Sequence, residues 1–347
     1  MPEAVSLWLQ LAACLALMGL AGPVLSRNAD VIADKTGLSG NWVGLILLAT
    51  VTSLPELITG ASAVVLLQAA DIAAGDVFGS CVVNLAMLAV LDFLLRDESV
   101  YRKAGIGHVL SAGFGVVLIS FAALNITLHG VGVPIASHLS LAFAPVTVLL
   151  YALSIRAVFT YERTHLIASA REQASRYPDR SLRDAILRYA AAGSVVVMTG
   201  VWLPFVAQGL AGTMGWSTGF VSTLLVAAVT SMPELVVTVA AIRIGAVDMA
   251  IANLLGSNLF NMVVLAIDDV LYTPGPLLAD VSPAHVVSAL SAVTMSGIVI
   301  LGLVYRPEGR IVRSVGWIGL TLFMIYLLNA YAMFLSGQNG AGVAPKG

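Results

Sequence analysis

A seven-residue segment that occurs twice in apolar surroundings constrains this chain more than any other feature. The first copy begins at Val51 and the second at Val229, and both place a Thr-Ser pair one residue before Pro-Glu-Leu. Each copy carries a carboxylate, Glu56 or Glu234, deep inside a hydrophobic stretch. Ionisable side chains inside apolar spans are rare and functional by default. The duplicated acidic motif therefore predicts a cation site built where two structural repeats meet.

The repetition continues beyond this motif. The first copy runs on to Ser80 and Asn84 and the second to Ser257 and Asn261, each in the pattern Gly-Ser-x-x-x-Asn. A serine and an asparagine four residues apart lie on one face of a helix, so each pair can point inward together. The copies are offset by 178 residues at the glutamates and by 177 at the Gly-Ser steps. The repeat is therefore an extended structural unit.

The composition indicates whether the chain folds in water or in a membrane. Of its 347 residues, 59% are hydrophobic and only 10% are charged, and the mean hydropathy is +0.95. A helix needs about 20 apolar residues to cross a bilayer. We therefore predict an all-α integral membrane protein with ten transmembrane helices, near residues 5–26, 39–67, 71–94, 105–127, 133–157, 187–209, 218–242, 248–271, 283–305 and 312–336.

The basic residues support that count, because the cytoplasmic loops of membrane proteins collect Lys and Arg. With ten spans, 16 of the 17 basic residues fall on one face, and only Lys346 remains for the other. We therefore predict that both termini lie outside, and we expect the membrane to be a bacterial inner (plasma) membrane. One additional or missing internal span would destroy this segregation.

The relative orientation of the two copies follows from the span count. Five spans lead from the second predicted helix to the seventh, and an odd number means that the second copy enters the membrane from the opposite side. The expected architecture is two inverted five-helix repeats, as in many alternating-access carriers. We place the first repeat at residues 1–160, a basic cytoplasmic linker at 161–186 and the second repeat at 187–347.

The local chemistry of each copy suits a hard cation. Pro55 and Pro233 precede the glutamates, and proline lacks a backbone donor, so we expect the helices to break at the Thr-Ser pairs. Freed carbonyls, hydroxyls and a carboxylate are the oxygen ligands that hard cations prefer. No basic residue lies deep in any predicted span to neutralise Glu56 or Glu234. The Ser/Asn pairs have an alternative role as simple contacts between helices.

Other ionisable residues carry weaker signals. Asp76 lies one turn before the first Gly-Ser serine and is an additional ligand candidate. Asp71 and Asp248 begin their spans, where a carboxylate caps a helix N-terminus. Asp92 and Asp269 are equivalent, and each is either a funnel or interface residue or a carboxylate at headgroup level. The five histidines show no spacing typical of a transition-metal site, so we assign them no role.

In these motifs and in its ten-span layout, the chain resembles the calcium/cation antiporters, the sodium/calcium exchanger superfamily. The resemblance rests on Thr-Ser-x-Pro-Glu-Leu followed by Ala-Asp-like and Gly-Ser-x-x-x-Asn elements, which occur twice. It implies exchange of Ca²⁺ against Na⁺ or H⁺ at a site formed by spans 2, 3, 7 and 8. It also implies that the first and sixth spans slide to switch access.

Carried over position by position, the resemblance assigns cation ligands in both copies. The principal carboxylates are those of the two Pro-Glu steps. The full set implied is Glu56, Glu234, Thr52, Ser53, Ser80, Asn84, Thr230, Ser231, Ser257 and Asn261, with Asp76 as an additional candidate.

Three departures from the family pattern bear on the coupling ion. Asn261 stands where many exchangers have Asp, Val51 and Val229 replace the usual Gly, and Asp76 stands where Asn is common. Two formal charges balance one Ca²⁺, two Na⁺ or two H⁺. Because an empty, doubly charged site is costly in a membrane, exchange of one ion for another follows. The sequence leaves open whether Na⁺ or H⁺ is the coupling ion.

The predicted function is therefore secondary active antiport of Ca²⁺ for Na⁺ by alternating access at a mid-membrane site. The alternative is an H⁺-coupled Ca²⁺ or Mn²⁺ exchanger, and a cation channel is a remote alternative. The spans contain no catalytic or zinc-site pattern, so we expect neither an enzyme nor a cofactor. The expected partners are inorganic cations and membrane lipids and not nucleic acid, and we expect a monomer to suffice for transport.

Overall fold

A computed structural model describes residues 2–35, 49–95, 98–166, 177, 179–243, 246–307, 310–312 and 315–340. A helical turn at residues 49–52 precedes the second helix, and two short antiparallel strands, β1 (Arg310–Val312) and β2 (Val315–Gly316), precede the last. The helices are α1 (Pro2–Lys35), α2 (Leu54–Leu66), α3 (Ala70–Leu94), α4 (Val100–Lys103), α5 (His108–Val131), α6 (Ala136–Leu166), α7 (Leu182–Met214), α8 (Thr218–Thr230), α9 (Met232–Arg243), α10 (Val247–Leu271), α11 (Leu277–Asp280), α12 (His285–Tyr305) and α13 (Trp317–Gly340).

The helices confirm the predicted membrane class. Within the described ranges, eight helices are long and apolar enough to cross a bilayer, namely α1, α3, α5, α6, α7, α10, α12 and α13. A ninth candidate is the pair α8 and α9, which meet at a bend of 45°. The apolar helix α2 is shorter, and residues 39–48 of the predicted second span lie outside the described residues. Ten spans and an inverted relation between the halves therefore stay predictions.

Several helices extend beyond the predicted apolar stretches. The helix α1 continues to Lys35, nine residues past the predicted end at residue 26. The helix α6 continues to Leu166 and α7 begins at Leu182, so part of the predicted linker at 161–186 is helical. Hydropathy marks only the part of a helix inside the bilayer, whereas polar helix-forming residues extend it into water. Residues 167–176 of the linker lie outside the described residues.

The helices α3 and α10 form the centre of the protein. Their apolar windows are 67% and 78% buried inside the protein, against 22% for α1 and α6. A helix that is hydrophobic all round is typical of such a buried position. Since α3 and α10 carry the Gly-Ser-x-x-x-Asn elements, these polar groups lie in the interior, away from lipid.

The glycines of the Gly-Ser steps allow close packing at this centre. A Cβ atom on Gly79 would overlap the backbone carbonyl of Thr223, which lies in a π-helical segment of α8, Ser222–Val226. A Cβ atom on Gly256 would lie 3.1 Å from the Cβ atom of Ala49. Small residues let helix backbones approach in membranes. Each glycine thus packs against the broken helix of the other copy.

Candidate cation-binding site

Both predicted helix breaks are present. Helical geometry stops at Thr52 and Thr230, and the next residues adopt similar angles, φ −90° and ψ 12° at Ser53 and φ −80° and ψ 8° at Ser231. The proline two residues later cannot donate the hydrogen bond that would continue the helix, but it is well tolerated in the first turn of a new one. The helices α2 and α9 begin at once and carry their glutamates in that first turn.

The two glutamates are held reciprocally by the serines at the breaks. The Ser53 hydroxyl donates to Glu234 Oε1 at 2.9 Å, and the Ser231 hydroxyl donates to Glu56 Oε1 at 3.2 Å. The Ser257 hydroxyl also donates to Glu234 Oε1, at 3.3 Å. All five side chains have 0% exposure. The serine of each copy therefore orients the carboxylate of the other.

The threonines of the motif form a second reciprocal set of contacts. The Thr52 hydroxyl lies 3.4 Å from the Ser257 hydroxyl, and the Thr230 hydroxyl lies 3.4 Å from the Ser80 hydroxyl. Each pair joins the broken helix of one copy to the Gly-Ser step of the other. These four hydroxyls, which are among the predicted ligands, therefore lie in contact across the two copies and are buried.

Asp76 belongs to the same network. Its Oδ1 accepts a hydrogen bond from Thr230 at 2.8 Å. The counterpart in the second copy is Asn253, whose Oδ1 accepts a hydrogen bond from Thr52 at 3.4 Å. The contact of Asn253 with Thr52 was not predicted from the sequence. The two positions differ in charge, so the centre is more acidic on the side of Asp76.

One oxygen of each central carboxylate is left without a partner. Glu56 Oε2, Glu234 Oε2 and Asp76 Oδ2 are buried, and no described residue forms a hydrogen bond with them. Nor does any described Lys, Arg or His form an ion pair with these three carboxylates. An unpaired buried carboxylate is strongly disfavoured, so a bound cation or proton must neutralise it. The arrangement orients each carboxylate and leaves it one free acceptor.

The predicted asparagines are placed differently from each other. The Asn84 amide donates to Asn258 Oδ1 at 3.1 Å, and the Asn258 amide donates to the Cys81 carbonyl at 3.2 Å. Asn261 is fully buried, and neither of its side-chain polar atoms has a hydrogen-bond partner among the described residues. Asn261 is thus free to act as a ligand. Asn258 was not predicted from the sequence, because its counterpart in the first copy is Cys81 and a comparison of the two copies shows no shared polar residue there.

The donor set consists of oxygens. Across the described ranges, no group of three or more His, Cys, Asp and Glu side chains is arranged to hold a metal ion. The centre instead combines hydroxyls, amide oxygens and carboxylates, which suit hard cations better than Zn²⁺ or Cu²⁺.

Asp92 and Asp269 have a structural role. Asp92 Oδ1 accepts a hydrogen bond from the Val100 amide at 3.1 Å, and Asp269 Oδ1 accepts one from the Leu277 amide at 2.8 Å. In each case the donor lies eight residues later and begins a short helix, α4 or α11. The structure therefore favours helix capping over a funnel role.

Asp71 and Asp248 lie in the first turn of their helices, as predicted, but neither is the N-cap residue, which is Ala69 or Ala246. The carboxylate of each also contacts a backbone amide and a histidine near the start of a helix in the other copy. One carboxylate therefore links two segments that are far apart in the sequence. The four contacts are Asp71 with the Ser282 amide (2.7 Å) and His285 Nε2 (3.0 Å), and Asp248 with the Gly105 amide (2.7 Å) and His108 Nε2 (2.9 Å).

Two histidines to which the sequence assigned no role thus join the copies. His108 and His285 are separated by 177 residues, the same offset as the Gly-Ser steps. This shared offset was the available signal, and a search for metal-ligand spacing could not detect it. The reciprocal contacts place the aspartates and histidines in structural links outside the central site.

Comparison with known proteins identifies relatives that match most of the chain. The family model described as sodium/calcium exchanger protein matches residues 6–160 and 185–332. The chain is 26% identical over 327 residues to inner membrane protein YrbG of Escherichia coli (strain K12), covering 92% of this chain and 97% of YrbG. It is 25% identical over 337 residues to sodium/calcium exchanger MaX1 of Methanosarcina acetivorans, covering 89% and 93%.

Solved structures show the same fold. Native YfkE superposes with a TM-score of 0.70 at 20% identity, covering 96% of this chain and 93% of YfkE. The H⁺/Ca²⁺ exchanger CAX superposes with a TM-score of 0.66 at 14% identity, covering 96% and 87%. The family model covers most of the chain in two segments, and both contain one copy of the acidic motif. This chain belongs to the sodium/calcium exchanger protein family.

Proposed function

We propose that the protein is a secondary active antiporter that exchanges Ca²⁺ for Na⁺ by alternating access at the buried centre. The reciprocal placement of Glu56 and Glu234 carries this proposal, because each is oriented by the opposite copy and keeps one oxygen without a hydrogen-bond partner among the described residues. Two such carboxylates balance one Ca²⁺ or two monovalent ions. Leaving both charged and empty is costly inside a membrane, so ions replace one another.

The proposed ligands extend from these carboxylates to the oxygens around them. The Thr-Ser hydroxyls bridge the copies, and the buried Gly-Ser and Asn side chains complete the set. We propose as ligands Glu56, Glu234, Thr52, Ser53, Ser80, Asn84, Thr230, Ser231, Ser257 and Asn261, with Asp76 as an additional one. Since these side chains are buried, binding and release require the helices around them to move.

We place the protein in a bacterial inner membrane with both termini outside. Similarity to the inner membrane protein YrbG supports the membrane, and the distribution of Lys and Arg supports the orientation. The substrates are inorganic cations and the surrounding partners are lipids. We propose that one chain suffices for transport, because it supplies both halves of the site, and that it needs neither a cofactor nor an enzymatic activity.

The second candidate is an H⁺-coupled Ca²⁺ exchanger. It is favoured by Asp76, a third carboxylate that contacts Thr230, and by the neutral Asn261. The comparisons do not favour Na⁺ over H⁺ as the coupling ion. MaX1 is named a sodium/calcium exchanger, whereas the fold is shared with the H⁺/Ca²⁺ exchanger CAX. Asp76→Asn distinguishes the two candidates, because it should impair H⁺-driven uptake far more than Na⁺-driven uptake.

The test is uptake of radioactive Ca²⁺ into proteoliposomes that contain the full chain, under an imposed Na⁺ gradient or an imposed pH gradient. We expect Na⁺-driven uptake, and we expect Glu56→Gln and Glu234→Gln together to abolish it. Glu98→Gln is the matched control, because Glu98 is a partly exposed carboxylate that pairs with Arg102 at 3.3 Å, away from the centre.

Three results would count against the proposal. Uptake driven only by protons would replace it with the second candidate. Uptake that survives the double substitution would exclude the proposed site. Ca²⁺ flux that neither saturates nor needs a counter-ion would indicate a channel.

A further inference from the structure

Asp268 in α10 is a carboxylic acid that the proposed cation site does not use. Its side chain has 0% exposure, and neither of its oxygens has a hydrogen-bond partner among the described residues. No described Lys, Arg or His forms an ion pair with it. The adjacent Asp269, by contrast, is bonded to the Leu277 amide. Buried polar groups without partners are rare in folded proteins, so Asp268 requires an explanation.

The position of Asp268 relates it to the centre. It follows Asn261 by seven residues on the same helical face, which is about 10 Å along the axis. Its carboxylate lies directly against Gly60 of α2, where a Cβ atom would overlap Oδ2 and lie 2.9 Å from Cγ. Gly60 is one turn beyond Glu56. Both helices therefore lead from the cation ligands to Asp268, which lies on one side of the site.

This carboxylate has no counterpart in the other copy. At the 177-residue offset, the position equivalent to Asp268 is Leu91, and at the 178-residue offset the position equivalent to Gly60 is Thr238. The Thr238 hydroxyl accepts a hydrogen bond from Asn253 at 3.2 Å. The second copy therefore has a hydroxyl side chain at the position of Gly60, which has no side chain and leaves room for Asp268. The feature belongs to one side of the site alone.

The surroundings of Asp268 limit what can neutralise it. The ionisable side chains whose charges act on it are Asp269 on α10 and Asp76 on α3, and Glu56 is the nearest one along α2. All three are acids, so no positive charge from a described residue offsets a negative Asp268. A metal cation needs several oxygen ligands, whereas within the described ranges no group of three or more His, Cys, Asp and Glu side chains, with or without Asp268, is arranged to hold a metal ion. A proton needs no further ligand.

We propose that Asp268 binds a proton and forms a second, proton-specific site beside the cation site, on one side of it only. While Asp268 is buried, as in this structure, its carboxyl group is neutral. When that side opens to water, the proton leaves to solvent, and the remaining carboxylate attracts the cation that enters or leaves there. The effect on transport rests on the proposed function, whereas proton binding itself does not.

Infrared spectroscopy of the full chain tests proton binding without transport. A protonated carboxyl group has a carbonyl stretching band that a carboxylate lacks. We expect Asp268→Asn to remove one such band and Asp268→Glu to shift it. The control is Asp269→Asn, which removes a neighbouring charge, keeps an oxygen for the Leu277 amide and should leave the band unchanged. If Asp268→Asn does not fold, the Asp268→Glu shift decides. A spectrum unchanged by the Asp268 variants would overturn the proposal.

Transport at different pH values tests the coupling. In proteoliposomes, pH is varied on one side at a time while Ca²⁺ uptake is measured. We expect Asp268→Asn to lose the response to pH on one side and to keep any response on the other. An unchanged response would overturn the coupling. If the protein carries no Ca²⁺ at all, the infrared result still decides whether Asp268 holds a proton, so the two proposals fail separately.

Discussion

At the residue scale, the two carboxylate oxygens of Glu56 have different surroundings, and the same is true of Glu234. One oxygen accepts a hydrogen bond from a serine of the opposite copy, and the other is buried with no partner in the part of the chain that the structure describes. Hydrogen bonds to charged groups contribute about 1.5–3 kcal/mol each. The serines therefore contribute to ion binding in two ways, as candidate ligands and as groups that hold the carboxylates in position.

We predict that Ser53→Ala weakens Ca²⁺ binding by roughly tenfold, because loss of one bond of about 1.5 kcal/mol to Glu234 corresponds to that factor. Calorimetric titration of the purified protein with Ca²⁺ measures the change. Ser194→Ala is the matched control, since the exposed Ser194 hydroxyl donates within its own helix, at 2.9 Å to the Ala190 carbonyl. Equal affinities in wild type and Ser53→Ala would contradict the role of Ser53.

At the element scale, the copies are joined by two aspartate-histidine contacts that differ in burial. His285 is fully buried and its partner Asp71 is 32% exposed, whereas His108 is 10% exposed and its partner Asp248 is 64% exposed. Solvent weakens polar contacts at exposed positions. The two histidine-aspartate distances are nearly equal, at 3.0 Å and 2.9 Å. Their contributions to stability should nevertheless differ, because their exposure differs.

We predict a coupling energy of about 1–3 kcal/mol for Asp71 with His285 and less than about 1 kcal/mol for Asp248 with His108. Double-mutant cycles with alanine at each position isolate these energies. The unfolding midpoint of the purified protein is the measurement. Equal couplings, or a larger one for the exposed pair, would show that burial does not set their strength.

The packing of α3 on α8 gives a second prediction at this scale. We expect Gly79→Ala to destabilise the protein by about 1–3 kcal/mol, because the added methyl group must displace the Thr223 backbone or the Ala227 side chain, whose Cβ atom would lie 2.7 Å away. Thermal unfolding measures the loss. Gly113→Ala in α5 is the control, because beyond its own stretch of helix no atom of the described residues lies within 4 Å of its added Cβ. Similar losses in both variants would refute close packing as the cause.

At the scale of the whole molecule, the predicted topology can be tested by labelling. Both native cysteines, Cys14 and Cys81, are buried, so an introduced cysteine can be read in the wild-type background. Thr273 and Asp179 are exposed residues between helices. We predict that a membrane-impermeant thiol reagent labels Thr273→Cys in intact cells and Asp179→Cys only after the membrane is opened. The reverse pattern would invert the orientation, and labelling of both in intact cells would contradict the span count.

Much of the fold was accessible from sequence because it follows from local chemistry. Apolar length predicts membrane helices, and Pro55 and Pro233 predict the breaks that the structure shows at Ser53 and Ser231. Helix ends were less accessible, as at Lys35, because a helix that leaves the bilayer keeps its backbone bonds in water. His108 and His285 were misjudged because their role depends on partners far away in the chain.

By itself, the sequence determined the membrane class, the two broken helices and the residue types around the duplicated glutamates, since each depends on neighbouring residues. Only the tertiary structure decided which groups meet. Ser53 reaches Glu234 across 181 positions, and Asp71 reaches His285 across 214. The burial of Asp268 against Gly60 is also visible only in three dimensions. Such contacts exist only once the two copies pack together, because close packing, not order along the chain, brings these side chains within bonding distance.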